Sequence, residues 1–103
     1  MAQNQNEIEY IRVKIQDTTL KVFEDGKILR KMKNNYKEIV NKANQTKGYN
    51  VILIEKKQYM RSKLIAYAYL NIELDDKSVY ICHKDEDKLN CSVNNLLIKN
   101  KKF

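Results

Sequence analysis

Two apolar segments meet at Asp25-Gly26, and this junction constrains the fold more than any other feature of the chain. Leu20-Lys21-Val22-Phe23 precedes it and Lys27-Ile28-Leu29-Arg30 follows it. Glycine adopts positive φ without steric penalty, so Asp-Gly between two such runs predicts a tight β-hairpin. Upstream, Ile11, Val13 and Ile15 alternate with Arg12 and Lys14. That is the period of a strand buried on one face. The chain therefore starts as consecutive antiparallel strands. Its 103 residues suffice for one domain with a modest core and not for two. Residues 1–7 are polar and read as a flexible N-terminus, leaving 8–103 as the domain.

The middle of the chain is less regular. Residues 31–47 are polar, and Tyr36, Ile39, Val40 and Ala43 have the spacing of a short helix. Lys47-Gly48 punctuates, and Tyr49 to Ile54 is an apolar, β-branched run that predicts a strand. Glu55-Lys56-Lys57 reads as a turn, with Gln58-Tyr59-Met60 returning. Ser62 is placed to cap a helix whose apolar stripe is Leu64, Ile65, Ala68 and Tyr69. Tyr67 and Tyr69 read as helix faces meeting the core. Asn71 to Ser78 is an acidic loop, and its Glu73, Asp75 and Asp76 lack the spacing and glycine of an EF-hand. Val79-Tyr80-Ile81 predicts a strand, Asp85 to Lys88 a turn, and Leu96-Leu97-Ile98 a last buried segment. The expected class is α+β: small antiparallel hairpins and one helix near 62–70.

Charge narrows the function. The net charge is +7 and it is unevenly placed. Residues 27–63 hold eleven Lys or Arg against Glu38 and Glu55, whereas 71–103 balance six bases with six acids. Such asymmetry favours a polyanion, DNA or RNA. The alternative is a solvated lysine-rich face. Seventeen Lys against three Arg, with twelve Asn, is also what an AT-rich genome produces. No apolar run approaches the ~20 residues that span a bilayer, and the start lacks a signal-peptide pattern. A soluble, intracellular protein with no membrane partner is expected. Cys82 and Cys91 form no CxxC pair, and one His cannot complete a usual zinc site, so two reduced thiols are expected.

The chemistry-bearing stretch is Cys82 to Leu96, which holds His83, the chain's single histidine. His83-Lys84-Asp85-x-Asp87-Lys88-x-Asn90, followed by Asn95-Leu96, resembles the signature of the HNH homing endonucleases of phages, mobile introns and large DNA viruses. The likeness extends upstream, in the family's order, through Asp25-Gly26-Lys27-Ile28-Leu29, Lys47-Gly48-Tyr49-x-Val51-x-Leu53 and Arg61-x-Lys63-Leu64-Ile65-Ala66-x-Ala68-Tyr69. It covers residues 20–99. The resemblance implies an HNH-like ββα-metal hairpin at 79–99, with His83 as general base and Asn95 as the residue that fixes the loop. Asp85 and Asn90 then take turn-shaping positions. It also implies a divalent metal such as Mg²⁺, if nuclease activity is kept. Four departures accompany it, the first being Ser62 where the family often has a His before the connecting helix. The metal-ligating Asp or Asn before the base is Cys82, a thiol that Mg²⁺ disfavours. A turn glycine is Glu86, which strains any turn needing positive φ. The helix that carries the final ligand falls beyond Phe103, so the hairpin reads as a remnant lacking it. Metal stabilisation contributes several kcal/mol, so a chain without those ligands is expected to cleave slowly or not at all.

The expected function is therefore DNA binding by an HNH endonuclease-like protein, with His83 and Asn95 as vestigial catalytic positions. Its candidate DNA contacts are Arg30, Lys31, Lys33, Lys47, Tyr49, Lys56, Lys57, Arg61 and Lys63. A basic, aromatic-bearing β-ribbon can follow a DNA groove, with Lys on phosphates and Tyr against sugars or bases. Tyr49 and Tyr59 can equally be cross-strand core neighbours. Two other functions fit the sequence. One is an active metal-dependent nuclease completed by a dimer, a partner chain, or Zn²⁺ at Cys82 and His83. The other is a viral structural or assembly protein whose interface is Leu96, Leu97, Ile98 and Phe103.

Overall fold

A computed structural model describes residues 9–45 and 47–101, so residues 1–7 and Phe103 lie outside the described part. The architecture is α+β, with three small antiparallel sheets around one helix. The first sheet is a meander of β1 (Tyr10–Ile15), β2 (Thr18–Phe23), β3 (Ile28–Lys31) and β4 (Tyr36–Glu38). The second pairs β5 (Val51–Ile54) with β6 (Lys57–Met60). Helix α1 (Arg61–Tyr69) follows β6 directly. The third pairs β7 (Val79–His83) with β8 (Leu96–Asn100), joined by a long loop that ends in a single 3-10 turn at Val93–Asn95.

The expected strands are present, and those flanking Asp25-Gly26 and Glu55-Lys56 pair as antiparallel hairpins. Asp25-Gly26 makes the β2–β3 turn, with Gly26 at φ +95 and its N–H donating to the Phe23 carbonyl at 3.0 Å. A β-carbon there would come within 3.0 Å of the Cys91 backbone. Glycine is needed both for the turn and for this close approach. The core gathers alternate residues of the first sheet (Val13, Ile15, Leu20, Val22, Ile28) against Ile52, Ile54, Leu64 and Ile65, closed by Cys91 and Leu96. Complete burial of each large aliphatic side chain contributes about 1.5–3 kcal/mol.

Three local predictions are corrected. The helical spacing of Tyr36, Ile39, Val40 and Ala43 does not form a helix. Tyr36–Glu38 is strand β4, and the segment after it runs extended to an isolated bridge between Ala43 and Asn50. Its backbone has partners that outcompete helix formation: the Ile39 N–H donates to the Ile28 carbonyl at 2.9 Å. Ser62 is not a cap. It lies inside the helix and is buried, while Met60 occupies the cap position without a side-chain hydrogen bond. The helix needs no capping side chain at its first N–H, because Arg61 donates to the Asn50 carbonyl at 2.8 Å. Tyr59 packs on the core opposite Ile52, whereas Tyr49 lies outside β5, so the two tyrosines are not a cross-strand pair.

The β5–β6 turn is tight and contains no glycine. Glu55 and Lys56 both take positive φ, +48 and +72, the signature of a type I′ turn. Glu55 offsets part of that strain through its carboxylate, which accepts the Asp17 N–H at 2.8 Å and the Thr18 hydroxyl at 3.0 Å. The β1–β2 and β5–β6 turns are thereby tied together. No helix among the described residues is long and apolar enough to cross a membrane.

Candidate functional site

The β7–β8 loop is organised by amide and carboxylate side chains. Asn95, buried in the 3-10 turn, accepts the Asp85 N–H on Oδ1 at 3.1 Å. Its Nδ2 donates to Asp85 Oδ1 at 2.9 Å and to the Asn90 carbonyl at 2.8 Å. Asn90 Nδ2 donates to the other Asp85 oxygen at 2.8 Å, and the Asp87 N–H donates to Asp85 Oδ1 at 2.8 Å. Both Asp85 oxygens thus hold the loop. The donation from Asn90, then those from the Asp87 backbone and Asn95, keep the Asp85 carboxyl below the usual carboxylate range. Each of these residues is within the loop or at its end, so the sequence can build the latch locally once β7 and β8 pair.

Glu86 sits at φ +64. The position therefore requires the left-handed backbone that glycine supplies best, and a side chain occupies it under strain. The Glu86 N–H donates to the His83 carbonyl at 2.9 Å, which closes the turn.

His83 ends β7 opposite Leu96 and is half-buried. Its Nε2 lies 3.9 Å from the Cys91 thiol. Burial lowers the imidazole pKa, with Asp85 and Asp87 opposing. Burial also pushes the Cys91 thiol up to about 11, against the pull of Arg61. At neutral pH the imidazole and the thiol are both uncharged. Cys82 is half-buried and pairs with Leu97, one residue before His83 on the same strand. Successive strand side chains leave opposite faces, so Cys82 and His83 do not converge as a zinc pair.

The residues do not fit a divalent metal. Among the described residues no group of three or more His, Cys, Asp or Glu side chains is placed to hold one. Asp85, the nearest oxygen donor in sequence to His83, is committed to the loop. A neutral imidazole can accept a proton, and the cation that acts on it is the exposed Lys88.

The loop docks on the rest of the protein through the β2–β3 turn. The Val93 N–H donates to the Glu24 carbonyl at 2.7 Å, and Cys91 packs on Gly26. Between them lies a cavity of about 540 Å³ lined by Asp25, Glu38, Asn41, Arg61, Asp87 and Asn90 among others. Arg61 forms its floor and is 2% exposed. Nε donates to Asn50 Oδ1 at 3.2 Å and Nη1 to the Gly26 carbonyl at 2.8 Å. Nη2 donates to the carbonyls of Ile39 and, at 3.2 Å, Val40. Burial lowers the guanidinium pKa, with Cys91 and Glu38 opposing. The place of Arg61 among the DNA contacts is corrected accordingly: its donors face the interior and join three chain segments.

The other candidate DNA contacts are distributed as follows. Lys31, Lys33, Lys47, Lys56 and Lys57 are exposed, and Arg30 is half-buried. Lys57 lies 5.3 Å from the Tyr59 ring. Tyr49 is half-buried beneath the Lys88 ammonium, 4.5 Å away. Lys63 donates to the Asp76 carbonyl at 2.9 Å and so faces the acidic loop. The described members of the predicted interface differ in exposure. Leu96 is buried in the core and Ile98 is half-buried, Leu97 is 43% exposed, and Phe103 lies outside the described residues.

Sequence reasoning missed Asn50. It is 2% exposed and uses its whole amide. Nδ2 donates to Asn41 Oδ1 at 2.9 Å and to the Leu89 carbonyl at 3.0 Å. Oδ1 accepts from Arg61 and, at 3.3 Å, from the Lys42 N–H. The available signal was a lone amide heading an apolar strand. No family model, no curated protein and no solved structure matches the chain.

Proposed function

We propose that this protein binds duplex DNA through its basic middle region and does not cleave it, on a scaffold similar to the HNH homing endonucleases. The observation that carries the reading is the exposure of Lys31, Lys33, Lys47, Lys56 and Lys57 in a region whose local charge is strongly positive. Exposed ammonium groups that neutralise phosphates release counterions, so binding is salt-dependent and tolerant of sequence. Two features support the comparison with HNH enzymes. Asn95 holds the loop beside His83, and Asp85 and Asn90 shape its turn. Two features argue against cleavage: Cys82 stands where the family has a metal ligand, and the Asp85 oxygens are already bonded.

Duplex binding measured against salt tests the first half. Affinity should fall with a slope of about −0.9 per phosphate contacted. A slope near zero would remove DNA binding. Supercoiled plasmid incubated with Mg²⁺, Mn²⁺ or Zn²⁺, beside His83→Ala, tests the second half. The two proteins should leave the plasmid equally intact. Nicking by the unaltered chain that His83→Ala abolishes would establish an active nuclease instead.

A further inference from the structure

The core uses only one face of the β1–β4 sheet. Val13, Ile15, Leu20, Val22 and Ile28 point into it. Strand register fixes what stands on the other face. Arg12 is opposite Lys21, Lys14 is opposite Thr19, and Lys31 is opposite Tyr36. Tyr10 is opposite Phe23, with ring centroids 5.5 Å apart. Four cations, Arg12, Lys14, Lys21 and Lys31, therefore share this face with one strand carboxylate, Glu38, opposite Leu29.

Aromatic rings flank the central cation. The Lys21 ammonium lies 4.7 Å from the Tyr10 ring and 4.0 Å from the Tyr36 ring. Tyr10 is 38% exposed, and Phe23, 6% exposed, backs it. Lys21 stands in register with Arg12, Leu29 and Glu38, and the two tyrosines flank it diagonally, on a face that no helix covers among the described residues. We infer that this face is a docking platform for single-stranded nucleic acid, sharing only Lys31 with the lysines assigned above to duplex DNA.

The chemistry selects that partner. Arg12, Lys14 and Lys31 are exposed and can meet successive phosphates. Lys21 can leave the rings for a phosphate, and a base then takes its place on Tyr10 or Tyr36. Stacking a base on a ring is worth more than the exposed cation–π contact it replaces. A duplex keeps its base faces inside the stack and cannot use the rings. An acidic peptide can use the cations but has no base to stack.

The test is fluorescence anisotropy with labelled oligo-dT, oligo-U and a duplex, each of about 15 nucleotides, near the upper site size of one single-strand-binding fold. Tyr10→Ala/Tyr36→Ala should weaken single-strand binding by roughly a hundredfold, about tenfold per lost stack. Tyr10→Phe/Tyr36→Phe should keep it within about twofold, because the π-face is retained. Arg12→Gln/Lys21→Gln/Lys31→Gln should flatten the salt slope by about 2. Lys56→Gln/Lys57→Gln should weaken the duplex alone. The tighter of oligo-dT and oligo-U identifies the sugar. Circular dichroism checks each fold, and if the double alanine variant unfolds, Tyr10→Ala alone carries the test at an exposed strand end. The platform is overturned by no single-strand binding at low salt, by tyrosine-to-alanine variants of unchanged affinity, or by polyglutamate displacing the oligonucleotide as well as unlabelled strand does. Failure of duplex binding with the single-strand results intact would overturn only the reading proposed above.

Discussion

Replacing Arg61 by methionine separates a structural arginine from a DNA-binding one. The side chain keeps its length and apolar stem and loses every donor. Four acceptors then lose their partner: the carbonyls of Gly26, Ile39 and Val40, and Asn50 Oδ1. An unsatisfied buried acceptor costs about 1–3 kcal/mol. The four losses do not sum in full. Val40 is 72% exposed, the 540 Å³ cavity beside Gly26 admits water, and Asn50 Oδ1 keeps the Lys42 N–H. Hydrogen bonds from a charged donor contribute about 1.5–3 kcal/mol each, so the equivalent of two lost in full gives about 3–6 kcal/mol. We expect Arg61→Met to lose about that much. For a domain near 100 residues, 1 kcal/mol corresponds to about 4–8 °C in Tm, so Tm should fall by about 15 °C or more. Lysine should fall nearly as far, because an ammonium cannot span acceptors on three segments. The assay is thermal unfolding followed by circular dichroism, beside the salt dependence of DNA binding at a temperature where both proteins are folded. A Tm within about 2 °C of the parent, together with a salt slope reduced by about one, would refute the structural assignment and return Arg61 to the phosphate contacts.

Three further outcomes are expected. Asn95→Ala should destabilise by about 2 kcal/mol and speed amide exchange at Asp85, because the Asp85 N–H and the Asn90 carbonyl both lose a buried partner; unchanged exchange would show that the latch is not needed. Glu86→Gly should stabilise by about 0.5–1 kcal/mol in denaturant unfolding, since glycine adopts φ +64 without the penalty a side chain meets; a loss of stability would mean that the Glu86 side chain has a role its backbone strain conceals. Cys91 is held near 11 in the folded protein against 9.0 in the unfolded chain. The folded state then binds the proton more tightly, so this stability is fully present below pH 9 and is lost as pH rises toward 11. The difference in stability between the parent and Cys91→Ala should narrow by up to about 2–3 kcal/mol across that range, and a constant difference would contradict it.

The hairpins were legible because their signals are local. Ile11, Val13 and Ile15 alternate, and Asp25-Gly26 can turn in only a few ways. The helix at 61–69 was legible from Leu64, Ile65, Ala68 and Tyr69. The role of Asn95 in the loop was expected from the resemblance alone, although its partners Asp85 and Asn90 are only ten and five residues away. Ile39 and Val40 misled because their spacing suits a helix, while their carbonyls are held by Arg61, more than twenty residues on. Ser62 misled similarly: the first helical N–H finds the Asn50 carbonyl instead of a cap.

The sequence by itself determined the α+β class, the hairpin at Asp25-Gly26 and the excess of positive charge. Each depends on neighbours within about ten residues or on composition alone. Only the tertiary structure decided which cations are available. Arg61 reads as one more base in a basic region, yet packing places it between Gly26, Ile39 and Asn50. Arg12 and Lys21 read as the polar half of an alternating strand, yet antiparallel pairing sets them side by side on an open face with Tyr10 and Tyr36. A guanidinium or ammonium has the same charge in any sequence. Whether it meets carbonyl oxygens or solvent is decided by segments far away in the chain.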